Sequence, residues 1–84
     1  MFCVRVRFTE YFLRNVLPRR PYLRREWLER ALEAPEWTER QEDDRVRHWV
    51  YIPEMQCYLR VVTLADGETI HNAFPDRRFR RPGR

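Results

Sequence analysis

Lysine and serine are both absent from this 84-residue chain, and glycine and cysteine occur only twice each. No apolar run approaches the ~18 residues that a membrane span needs, and the first residues lack a signal-peptide pattern, so a cytoplasmic location is expected. The length allows one domain that buries only about 60% of its unfolded surface, which leaves one thin core and no deep, layered active site. Dinucleotide folds and multidomain enzymes are excluded on size. Cys3 and Cys57 are too few for a disulfide scaffold. With His48 and His71 they make a nominal two-cysteine, two-histidine set, but the spacing fits no zinc pattern and strand parity sends the residues to different faces. No metal and no cofactor are expected.

What is present is arginine, 17 residues of it, in a chain that is 43% hydrophobic and 14% aromatic. That composition describes a folded chain. Arginine that replaces every lysine reflects a coding bias, so its abundance alone says little about ligands. Its distribution says more. Residues 1–25 carry seven arginines and one acid, residues 26–44 two arginines and eight acids, and residues 45–75 three of each. The last nine residues carry five arginines and one aspartate, so the net charge of +4 lies in the C-terminal segment. A field that is basic at both ends and acidic in the middle meets a polyanion only on selected faces.

The periodicities predict an order of elements. Phe2, Val4, Val6 and Phe8 alternate with Cys3, Arg5 and Arg7, a strand over residues 2–8. Thr9 can cap a helix to about Leu17 with Phe12, Leu13 and Val16 on one face, and Pro18 and Pro21 bracket a break. A second helix follows over residues 22–34, with Leu23, Trp27, Leu28, Ala31 and Leu32 along one side. Strands return over residues 36–42, 45–52, 57–64 and 68–74, the last two joined at Asp66-Gly67. The expected fold is thus α+β, β-α-α-β-β-β-β, with two N-terminal helices packed on one face of an antiparallel sheet. A single domain spans residues 1–79, followed by a basic tail at 80–84.

Register follows from the turns. If Pro53 to Gln56 form a four-residue loop, Trp49 lies opposite Arg60 and Tyr51 opposite Tyr58. If Asp66-Gly67 is central, Val62 lies opposite His71, Val61 opposite Asn72 and Arg60 opposite Ala73. Leu59, Val61, Thr63, Ile70, Asn72 and Phe74 then face the helices. The other face is open and carries Arg45, Arg47, Trp49, Tyr51, Tyr58, Arg60 and His71. Guanidinium groups hold phosphates and aromatic rings stack on unpaired bases, so this is a candidate RNA surface, with Arg47, Trp49 and Tyr58 as binding residues. The same residue types also serve cross-strand pairing, and Trp49 with Arg60 makes an ordinary cation–π pair.

His71 and Arg60 would lie diagonally on neighbouring strands, within reach of one phosphate. Metal-free RNA cleavage needs proton-transfer groups and a cation, which makes His71 and Arg60 the candidate catalytic pair. His48 points into the core. In the tail, Phe79 is expected to fold back onto the domain, with Arg77 and Arg78 as substrate contacts on its rim.

The order of elements, with Tyr58-Leu59-Arg60-Val61-Val62, Asp66-Gly67 and Thr69-Ile70-His71-Asn72-Ala73-Phe74, resembles RelE-like toxins, nearest the BrnT-like and related small domains. Thr9-Glu10-Tyr11-Phe12-Leu13-Arg14 and Arg19-Arg20-Pro21 match the helical part of that pattern, with Glu10 where relatives often have His and Pro21 where they have Gly. The resemblance implies a metal-independent ribonuclease of the mRNA interferase kind, ribosome-associated in some members and neutralised by a cognate antitoxin. The alternative is a non-catalytic module that binds a protein partner or nucleic acid through its sheet face and arginine-rich tail. An exposed edge strand admits a homodimer under either reading.

Overall fold

A computed structural model describes residues 6–80 of the chain. Residues 2–5 of the expected first strand, with Cys3, and the tail beyond Arg80 lie outside the described residues. The described part of that strand, β1, is Arg7–Phe8. It is followed by a π-helical turn at Phe12–Val16, a helix α1 at Arg25–Glu33, and strands β2 (Trp37–Arg40), β3 (Val46–Ile52), β4 (Cys57–Thr63) and β5 (Thr69–Asp76).

Thr9 caps the π-helical turn as its sequence position suggests, its hydroxyl accepting from the Phe12 N–H at 3.1 Å. The turn cannot grow into a full helix because Pro18 has no N–H for the Arg14 carbonyl and its ring would strike that carbonyl. The backbone widens instead, and the Leu17 N–H reaches back five residues to the Phe12 carbonyl at 2.9 Å. Phe12 and Val16 are buried by this, while Leu13, expected on the same face, is 47% exposed.

Pro21 delays the next helix. Leu23 is buried in a turn that donates to the Arg20 carbonyl, and α1 begins only at Arg25. It buries Trp27, Leu28 and Ala31 and stops at Ala34, because Pro35 disfavours helical geometry in the residue before it.

The five strands form one sheet in the order β1-β5-β4-β3-β2. β2 to β5 run as an antiparallel meander, but β1 pairs with β5 in parallel, Arg7 beside Thr69 and Phe8 beside Ile70. The expected fold is corrected on two counts: there is one α-helix rather than two, and the sheet is mixed rather than antiparallel. The coarse α+β class remains. Phe12, Val16, Leu23, Trp27, Leu28 and Ala31 cover one face, against Val50, Ile52, Leu59, Val61, Ile70 and Ala73. No helix among the described residues is long and apolar enough to cross a membrane.

The β3–β4 register is the expected one, with Trp49 opposite Arg60 and Tyr51 opposite Tyr58. The β4–β5 register is as expected at Thr63 and Ile70, and then slips by one residue at a bulge. Val62 lies opposite Asn72 rather than His71, Val61 opposite Ala73 rather than Asn72, and Arg60 opposite Phe74 rather than Ala73. The bulge absorbs one residue, which puts Ile70 and Ala73 both in the core and moves Asn72 and Phe74 to the other face. β5 also runs two residues further than expected. Pro75 is tolerated inside it because β1 flanks β5 only at Thr69 and Ile70.

Candidate nucleic-acid interface

The sheet face away from α1 is a ladder of rings and guanidinium groups built by alternation along three strands. Arg20, from the loop after the π-helical turn, places its guanidinium 5.9 Å from the Phe74 ring centre. Arg60 lies over the same ring at 4.7 Å and over Trp49 at 5.6 Å. Tyr51 and Tyr58 meet edge to face, 5.4 Å between centres. The sequence reading of this face as open is overturned by the tail. Phe79 turns back and stacks on Trp49 at 4.5 Å and 14°, and meets Tyr58 edge-on at 4.9 Å. Trp49 is left 3% exposed.

Asp76, the last residue of β5, locks the centre. Its Oδ2 accepts from the Trp49 indole N–H at 3.1 Å and from Arg60 Nε and Nη2 at 3.3 and 3.0 Å. Burial works to raise the Asp76 carboxyl, but the Trp49 donor and the Arg60 charge outweigh it and hold its pKa below the ordinary value. Arg60 is therefore a compensated cation. Its remaining role is to hold Trp49 and Phe74 in place.

The other expected site residues are spread apart. Arg47 is turned toward the β2–β3 hairpin, where Nε donates to Gln41 Oε1 at 2.9 Å and Glu39 lies at 3.9 Å. The Tyr58 hydroxyl donates to Glu36 at 3.3 Å. His71 sits at the bulge, within 3.2 Å of the Thr9 hydroxyl and stacked on Tyr11 at 4.8 Å. Burial, with the Arg45 charge, lowers its pKa below the ordinary value. The slip takes His71 off the diagonal to Arg60 that a shared phosphate would need, so the two are not brought together. His48 is a core residue, as expected: Nε2 meets the Thr63 hydroxyl at 3.0 Å, and burial pushes its pKa down to about 4. Arg77 and Arg78 are exposed.

A second feature was not visible in the sequence. Tyr22, Trp27, Met55 and Pro75 floor an open groove of about 570 Å³, with Glu54 and Arg77 on its walls. Arg24 stands over the Trp27 ring at 5.6 Å, and Arg20 reaches Phe74 beside Pro75. Among the described residues none of Arg20, Arg24 and Arg77 forms an ion pair. The groove joins a loop and α1, the β3–β4 turn and the end of β5, segments distant in the chain. Its one signal was Arg19-Arg20-Pro21-Tyr22, an aromatic set beside arginines in a proline-held loop. No family model, curated protein or solved structure matches the chain.

Proposed function

We propose that this protein binds single-stranded RNA in the groove of Tyr22, Trp27, Met55 and Pro75. The observation that carries the reading is the exposed Tyr22 ring in a groove lined by Arg77 and flanked by Arg24 at Trp27, neither guanidinium having a carboxylate partner among the described residues. The half-exposed Tyr22 ring offers a stacking surface for a base, and Arg24 and Arg77 offer donors for the flanking phosphates. Binding is favoured over cleavage because Arg60 is engaged by Asp76, and His71 by Thr9 and Tyr11.

The test is fluorescence anisotropy of a labelled ten-nucleotide oligoadenylate titrated with the full chain at several salt concentrations. Arg77→Glu should weaken binding at least tenfold and flatten the salt dependence, since each lost phosphate contact removes about 0.7 from the log–log slope. Equal affinity and slope in wild type and variant would remove the reading. Recovery of shortened oligonucleotide from wild type but not from His71→Ala would replace it with a nuclease.

A further inference from the structure

The Trp49 platform is closed by a residue from outside the sheet. Trp49 itself is fixed by regular strand neighbours: Asp76 accepts its indole N–H, and Arg60 stands over its ring from the paired position on β4. Phe79 follows three residues after the end of β5. Arg77 and Arg78 form a turn in which the Arg78 N–H donates to Asp76 Oδ1 at 3.3 Å. That turn lays Phe79 against two rings. The near-parallel stack at 4.5 Å and 14° is the arrangement a nucleobase adopts on an indole, and Tyr58 closes one side edge-on.

The groove and this platform share one segment of chain. Arg77 lines the groove, and two residues later the same segment lays Phe79 on Trp49. Arg77 and Arg78 are exposed along the way, where the phosphates of a strand leaving the groove would pass.

We propose that Trp49 and Tyr58 form a second base-stacking subsite, occupied in cis by Phe79, onto which RNA seated in the groove extends by displacing that ring. The proposal rests on the RNA-binding reading above and names how that binding is held in check. A purine covers more of the indole than a phenyl ring does, and it brings phosphates to Arg77 and Arg78 that Phe79 cannot supply. Asp76 remains in place during the exchange and keeps the Trp49 ring oriented, so the exposed platform is already formed.

The experiment compares wild type, Phe79→Ala, Phe79→Tyr and the double variant Phe79→Ala with Trp49→Leu, all as full chains. The probe is the same oligoadenylate, and circular dichroism establishes that each variant is folded. Removal of the competing ring should tighten binding about tenfold in Phe79→Ala, the size of one base-stacking contact. Phe79→Tyr should match wild type, and the double variant should lose the gain. If the double variant is unfolded, tryptophan emission decides: the oligonucleotide should quench it more in Phe79→Ala than in wild type, and equal quenching counts against the proposal. Wild-type binding that is not tightened in Phe79→Ala overturns the subsite and leaves the groove reading standing. Binding by none of the folded proteins removes both. Binding by Phe79→Ala alone, dependent on Trp49, upholds the subsite and removes the groove.

Discussion

His48 makes the stability of this domain depend on pH between about 7 and 4. The ring is 6% exposed, with Nε2 against the Thr63 hydroxyl and Nδ1 without a partner among the described residues. Desolvation penalises the charged form and takes the pKa from 6.5 to about 4. The unfolded chain keeps the ordinary value, so between the two pKa values it binds a proton that the folded state does not. Mass action then favours unfolding as pH falls: the loss starts as pH drops through 6.5 and is complete below 4. At about 1.4 kcal/mol per pKa unit the full loss is about 3 kcal/mol. That is a large share of the roughly 4–12 kcal/mol expected for a chain of this size. Urea denaturation from pH 7.5 to 4 in wild type and His48→Phe measures it. Phenylalanine removes the titrating group at similar volume, and the Thr63 hydroxyl keeps its contact with the Val46 carbonyl at 3.5 Å. The difference between the two profiles should change by about 3 kcal/mol across the range. Parallel profiles would refute the reasoning, as would a His48 ring-proton titration in the folded protein centred near 6.5.

Two further substitutions probe the backbone and the core. Gly67 has φ +71° with open space where a Cβ would stand, so Gly67→Ala should cost about 1 kcal/mol from backbone strain alone; a loss above about 3 kcal/mol in urea melts would mean the turn is packed. Phe12 is fully buried and the neighbouring Leu13 is 47% exposed, so Phe12→Ala should cost about 3–5 kcal/mol and Leu13→Gln within about 0.5 kcal/mol. Equal effects at the two positions would contradict the π-helical turn.

The β3–β4 pairing is legible because Val46, His48, Val50 and Ile52 alternate without interruption into a four-residue turn, so parity and turn length together carry Trp49 to Arg60. The bulge in β5 was not read, although Ile70 and Ala73 are three apart with His71 and Asn72 between them. Two core residues at that spacing in a strand require an extra residue. The spacing of Phe12, Leu13 and Val16 predicts an α-helix ended by Pro18, but it does not show that Pro18 so close behind also widens the last turn into a π-helical one. The catalytic pair depended on the unslipped register, and the slip removed it. Phe79 folds back onto the domain, as expected. Asp76 as the lock of the site was hidden because Pro75 looked like the end of the strand, whereas an edge position leaves a proline harmless there.

The parallel seam between β1 and β5 bears on the order in which the protein assembles. β2 to β5 are joined by short turns, and their contacts can form while the rest of the chain is still searching. The seam joins residues 62 positions apart, Thr9 and His71 among them, and must close nearly the whole chain before it returns any contact. Folding should therefore begin in the meander and finish when Arg7, Phe8 and the capped turn seat against Thr69 and Ile70. In the native protein the same seam should be the first to open. The Thr9 amide, held by the Ile70 carbonyl at 3.0 Å, would exchange its hydrogen well ahead of the amides between β3 and β4.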